Sequence, residues 1–403
     1  MAGAALAQDY VRLALAIDQH LPGYIDAYYG PADWREQARL EGRRPPDELA
    51  RRASALEDAL GAAAEMDPQR KDYLARQVRA MRTSLRLLAG ETLALADEAD
   101  LLYDIRPTWI DEARFEEAHR QLDELLPPGD TLQERLTARK QALEISVEQA
   151  RSLLPPIQER LREASRKRFP LPQAESLDFH FVESKPWAAY NWYLGNGRSR
   201  IELNTDLPLR ANLLVELVAH EAYPGHHTEL SIKDGRLLQQ EGRLEHSVAL
   251  INSPACVISE GIATCALSVI MPDDALLAWY TREIFPRAGL DPSHAQGEIK
   301  IQEATQTLTG ARGNAAFLLH DRRAGPAESA RYLQRYELRT EAEAAKQLEF
   351  LETPLYRSYV FTYYWGRQLL TSLFAAKGDV THWYTRLLTE AVTPSQIRQW
   401  TAA

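Results

Sequence analysis

Residues 218–230 read VAHEAYPGHHTEL, which puts three imidazoles and a carboxylate, His220, Glu221, His226 and His227, within eight positions. Imidazole and carboxylate are the side chains that hold zinc, and a glutamate beside a ligand can take the proton of a water at the metal. The stretch begins like the zinc-protease helix motif H-E-x-x-H, but Pro224 stands where the second histidine belongs. In that motif the histidines lie four residues apart, about 400° around the helix, and so share a face. Here the candidates follow six and seven residues after His220. On an ideal helix the seventh residue returns to nearly the same face but roughly 10 Å along the axis, too far for one ion bound at about 2 Å. Pro224 and Gly225 supply the remedy. Proline removes a backbone donor and clashes with the carbonyl four residues back, that of His220, while glycine tolerates angles other residues avoid. A bulge after Tyr223 that loops out two residues brings His226 back to the second ligand position; His227 would need three.

A catalytic zinc needs a third protein ligand and an open position. SPACVISEGIATCALSVI (253–270) is an almost wholly apolar helix with one acidic residue, Glu260, and a lone carboxylate in such a helix is best explained by a cation. Glu216 competes, but one turn before His220 on the same helix it is better placed to steady a ligand than to be one. The expected chemistry is hydrolysis of a peptide or small amide. Zn²⁺ on His220, His226 and Glu260 acidifies a water, and Glu221 takes its proton and later returns it to the leaving nitrogen. Manganese or cobalt would also suit these ligands. Tyr363, in RSYVFTYYWGRQLL, is the first candidate to hydrogen-bond the tetrahedral oxygen, with Tyr190, Tyr193 and His227 as rivals. A carboxypeptidase would add a guanidinium for the substrate's terminal carboxylate, from Arg198, Arg200, Arg357 or Arg367. The competing reading is a non-catalytic helical binding or scaffold protein that keeps a metal site; Glu221 argues against it, because a structural zinc needs no base. His246 reads as a solvated helix histidine, Cys256 and Cys265 as small core residues, and His20, His119, His294, His320 and His382 receive no role.

The elements that must position these groups are mostly helical. From residue 1 to about 168 apolar residues recur at three-and-four spacing, and 131–167 reads as one long amphipathic helix bent or interrupted at Pro155-Pro156. After a joint at 169–173, SLDFHFVES (176–184) and SRIELNT (199–205) alternate like strands, and Asn196-Gly197 is a hairpin signal. From Pro208 helix resumes almost to the end. The fold class expected is mostly α, a large helical metallopeptidase-like fold with a small β hairpin or sheet preceding the metal-binding helix. An N-terminal helical region (1–170) and a metal-binding region (171–403) are expected to pack as one unit, with the 201–205 strand as a rail for an extended peptide.

The chain has 403 residues, 45% hydrophobic and 26% charged, with 47 basic against 57 acidic side chains and a formal charge of −10. That balance, with no basic block, argues against nucleic acid or an anionic membrane as partner. No apolar run approaches the roughly 20 residues of a membrane helix, and Asp9 and Arg12 interrupt the N-terminal apolar stretch, so a cytoplasmic location is expected.

HEAYPGHH, followed 34 residues after His226 by Glu260 in the segment Ser259-Glu260-Gly261-Ile262-Ala263, resembles the DUF885 family of bacterial proteins, gluzincin-type metallopeptidases with an H-E-x-x-P-G-H core and a later E-G-W/I-A glutamate. IDAYYGP (25–31) and Tyr363-Tyr364-Trp365-Gly366 also look like family features. The resemblance is specific over about 205–270 and 354–370. It implies a mostly helical zinc peptidase, broadly like the helical carboxypeptidases and oligopeptidases, with His220, His226 and Glu260 as ligands and Glu221 as base. Family members often carry another residue after the second ligand, which favours His226 over His227. Ile262 stands where tryptophan is common and the chain is shorter than many members, so pocket details do not carry over.

Overall fold

The computed structural model describes residues 2–185, 187–322 and 324–403. It is 66% helical, with only small sheets of two or three strands, the expected class. Strands β1 (Ile25–Tyr28) and β7 (Val248–Leu250) pair antiparallel, as do β2 (Glu144–Ile145) and β6 (Leu209–Arg210). The third sheet holds β3 (Ser176–Val182), β4 (Ala189–Gly195) and β5 (Arg198–Asn204) in the order β3-β5-β4. Asn196 and Gly197 form the two-residue turn between β4 and β5 with φ of 55° and 67°, the doubly left-handed geometry that asparagine and glycine adopt at low cost.

Three expectations are corrected. The 131–167 segment is two helices, Leu132–Gln141 and Val147–Arg166, parted by β2 rather than at Pro155-Pro156. Ser146 starts the second helix by accepting from the Gln149 amide while Gln149 reaches back to Ser146, a reciprocal cap that makes a sharper boundary than the prolines do. The prolines are tolerated because the carbonyls they leave without donors belong to Arg151 and Ser152, both exposed to water. The chain before 168 is not wholly helical, since β1 lies inside it, and β6 and β7 interrupt the helical region after Pro208. The 201–205 rail also fails: β5 is the central strand, with both backbone edges spent on β3 and β4, so β4 is the edge beside the His220 helix.

Four hydrophobic clusters make up the core, and each draws residues from both sides of position 170. The central contact is between the helices Pro254–Ile270 and Val360–Lys377. They cross glycine on glycine: a methyl on Gly261 would meet the Gly366 carbonyl oxygen at 2.9 Å, and one on Gly366 the Val257 oxygen at 2.6 Å. Among the described residues no single helix is long and apolar enough to cross a membrane.

Candidate metal centre

The helix Ala211–Glu221 ends one residue after His220, and a second helix, His226–Lys233, starts at His226. The four residues between them are bridged by hydrogen bonds that skip two positions: the Gly225 amide donates to the Ala219 carbonyl at 2.9 Å and the Thr228 amide to Ala222 at 3.2 Å, six residues back instead of four. Two residues are thus looped out, as the spacing requires. Gly225 is obligatory, because a Cβ there would lie 1.7 Å from the His220 carbonyl oxygen. The result sets the His220 and His226 rings edge to face, centroids 4.8 Å apart.

Glu260 joins them from the Pro254–Ile270 helix, and the ligand atoms of His220, His226 and Glu260 all lie within 4.8 Å of one another. Its Oε1 accepts from the Tyr359 hydroxyl at 2.5 Å. Its Oε2 stands 3.6 Å from His220 Nε2, buried and without a hydrogen bond. Burial pushes Glu260 up to about 8, with Asp26 and Glu229 adding repulsion, and pushes His226 down to about 4. His220 falls well below the ordinary imidazole value through burial and then His226. Glu221 lies well above the carboxylate range through burial, then Glu260 and Asp26. Neutral imidazoles around an unpaired buried carboxylate oxygen form a donor set that a divalent cation fits. His220 keeps 23% of its side chain exposed, which gives the site an opening.

The proton on His226 can be placed. Ser259 Oγ gives its one proton to Glu229 Oε2 at 2.5 Å, so toward His226 Nδ1, 3.0 Å away, it can only accept. His226 therefore carries hydrogen on Nδ1 and leaves Nε2 bare for a metal, and Lys233 closes the chain on Glu229 at 2.6 Å.

His227 points the other way. Its Nδ1 meets Ser199 at 2.8 Å and its Nε2 meets Glu175 at 2.9 Å, so both nitrogens are engaged and neither metal nor oxyanion is within its role. Glu216 faces Arg210 and Glu298 instead of steadying a ligand. His246 is buried and stacks on Tyr73 at 5.3 Å, which corrects its reading as a solvated histidine; it lies in the Leu244–Ser247 turn that leads into β7. Tyr193 spends its hydroxyl on Asp234 at 2.7 Å and Tyr190 on Asp26, which removes both as oxyanion donors. Tyr363 packs edge-on to Tyr359 at 5.5 Å and feels the charges of Glu260 and Glu221. Arg357 is held by Glu98, and Arg198 and Arg200 are exposed on β5. Among the described residues, the charges that act on Glu221 and Glu260 come from carboxylates.

Four residues at the site were given no role there from sequence. Tyr359 holds Glu260, and its spacing of four from Tyr363 was a usable signal. Ser259 orients His226. Cys256, one turn before Glu260, feels the Glu260 charge and is a site neighbour as well as a core residue. Asp26 arrives on β1, from more than 190 positions away in sequence.

A groove of about 860 Å³ lies elsewhere: Trp109, Tyr364, Trp365 and Gln368 line it, and no residue of the His220–His226–Glu260 cluster does.

In comparisons with known proteins the chain matches no family profile and no curated protein. Its fold is similar to a solved structure from Colwellia psychrerythraea described as a candidate lipoprotein, at TM-score 0.54 and 14% identity, covering 91% of this chain and 72% of that one. A second such protein, from Shewanella oneidensis and of unknown function, aligns at TM-score 0.48 and 13% identity over 92% of this chain and 76% of its own.

Proposed function

We propose that this chain is a metal-dependent hydrolase of peptide or related amide bonds, with Zn²⁺ on His220, His226 and Glu260. The observation that carries the reading is Glu260 Oε2, a buried carboxylate oxygen with no hydrogen bond, 3.6 Å from a neutral imidazole nitrogen. Glu337 also leaves one oxygen bare but has Arg312 and Arg339 to offset its charge, whereas the charges acting on Glu260 are those of Asp26 and Glu229, so leaving its oxygen bare costs free energy unless a cation binds. A bound divalent cation supplies Lewis acidity toward a water and a substrate carbonyl.

The chain's own residues do the rest. Glu221, adjacent to His220 and raised above the ordinary carboxylate range by burial, takes a proton from the attacking water and hands it to the leaving nitrogen. Tyr363 offers its hydroxyl to the developing oxyanion. An extended substrate runs along β4, whose Asn191 donates to the Glu221 carbonyl at 2.6 Å and so ties the strand to the base.

Metal analysis of the purified protein, followed by hydrolysis of a peptide library by wild type and Glu221→Gln, tests the proposal. About one zinc per chain and turnover lost in the variant are expected. Undiminished hydrolysis by the variant removes Glu221 as base, and stoichiometric zinc without turnover in wild type turns the reading to a metal-holding scaffold. The cytoplasmic location is a proposal from sequence, whereas the Colwellia protein of similar fold is described as a candidate lipoprotein; separating cytoplasm from envelope decides it.

A further inference from the structure

Asp26 is delivered to the metal centre by a local irregularity. β1 pairs Ile25 with Leu250 and Ala27 with Ala249, which leaves Asp26 as an extra residue in the ladder. Such a bulge re-aims one side chain, and bulges recur beside active sites. The Asp26 carboxylate accepts from the Tyr190 hydroxyl on β4. The next residue of that strand, Asn191, grips the Glu221 backbone, so Asp26 and the base are two links apart. The Asp26 charge is felt by Tyr356, Cys256, Glu221 and Glu260.

The charges do not balance without a further cation. One divalent ion offsets Glu221 and Glu260 and leaves Asp26 over, raised by burial and with only the Tyr190 hydroxyl to steady its charge; Arg357 is spent on Glu98, and Arg198 and Arg200 are turned outward. Beyond Asp26, Tyr190 packs against Trp187 at 5.0 Å and Trp192 at 4.6 Å, an aromatic surface beside the acid.

We propose that Asp26 binds the free α-ammonium group of the substrate, so that the enzyme works from the amino end of a peptide, with the adjacent side chain against the Tyr190–Trp192 surface. This rests on the hydrolase reading and adds the substrate's end to it.

Calorimetric titration of zinc-loaded Glu221→Gln protein with Leu-Leu-Leu and with N-acetyl-Leu-Leu-Leu tests the binding without turnover. The free peptide is expected to bind about tenfold tighter or more, as a charge-assisted contact implies, and adding Asp26→Asn brings the two affinities within about twofold. Wild-type kcat/KM for the same pair should show the same preference, a comparison that needs no variant at Asp26 to fold. Equal affinity for the two peptides, or a preference that survives Asp26→Asn, overturns the assignment. Intact peptides after incubation with zinc-loaded wild type count against the hydrolase reading, while the calorimetric preference still decides Asp26.

Discussion

Two regions on opposite sides of the Pro224 loop are built from the same residue types and behave in opposite ways. On one side His227, Tyr223 and Glu175 meet; on the other His226, Tyr359 and Glu260. Glu175 has every acceptor filled: Arg162 at 2.7 Å and Arg166 at 2.8 Å on Oε1, Tyr223 at 2.6 Å and His227 at 2.9 Å on Oε2. Those donors outweigh burial and hold it down at about 2. Among the described residues Glu260 has one tyrosine, no cation and a bare oxygen, and burial drives it up to about 8. The lesson is that a buried carboxylate built for stability comes with its own positive charge, while one built to receive a charge from outside does not.

The sharpest way to break this contrast is through the base. If the Glu260 side is the reactive one, Glu221→Gln lowers kcat by on the order of 10³, because a glutamine cannot accept the proton, while zinc content stays near one per chain. Steady-state kinetics and metal analysis on one preparation read both. A matching change on the other side, Glu175→Gln, should leave zinc content alone and destabilise the fold by about 3 kcal/mol, since two arginines lose their buried partner. Denaturant unfolding should show a lower midpoint at unchanged slope. Were Glu175→Gln to lose zinc as well, the two regions would be one functional unit and the division would fall.

The contrast was partly legible in the text of the chain. The two looped-out residues between His220 and His226 follow from local sterics at Pro224 and Gly225, which act over a few residues and can be read from them. Glu260 stands out because an apolar helix makes one carboxylate conspicuous. The partner of His227 was not legible, since Glu175, just past the joint at 169–173, meets it only through a contact between residues 52 positions apart. Asp26 was hidden for the same reason: its place depends on β1 pairing with β7, more than 200 residues later, and on a bulge that no local pattern announces. The boundary at Ser146 was local and readable, because Ser146 and Gln149 form a reciprocal cap; the Pro155-Pro156 pair drew the break to the wrong place.

A milder change sharpens the comparison inside the metal side. Ser259→Ala removes the acceptor that holds hydrogen on His226 Nδ1, so the ring can take the other tautomer or turn away. Zinc affinity should fall 10- to 100-fold, roughly the effect of losing the outer partner of a histidine ligand, read by competition with a chelator of known strength. Loss confined to stability would mean that His226 is held by packing alone.

The smallest effect is a pH dependence, and its sign separates the two carboxylates. A group whose folded pKa is depressed stabilises the fold above its unfolded value and loses that contribution as pH falls through the folded value. Glu175 is such a group, held near 2 against an ordinary 4.5, so its share is present at neutrality and declines from about pH 4.5 downward. With Arg162 and Arg166 one-quarter to one-third exposed, water screens the pairing, and about 1 kcal/mol should go between pH 5 and 3. Comparing wild type with Glu175→Gln over that range isolates the contribution: the difference in unfolding free energy should shrink toward acid. A difference that instead stays constant from pH 6 to 3 would mean that Glu175 works through its shape and hydrogen bonds alone, and the charge argument that sets it against Glu260 would lose one of its two halves.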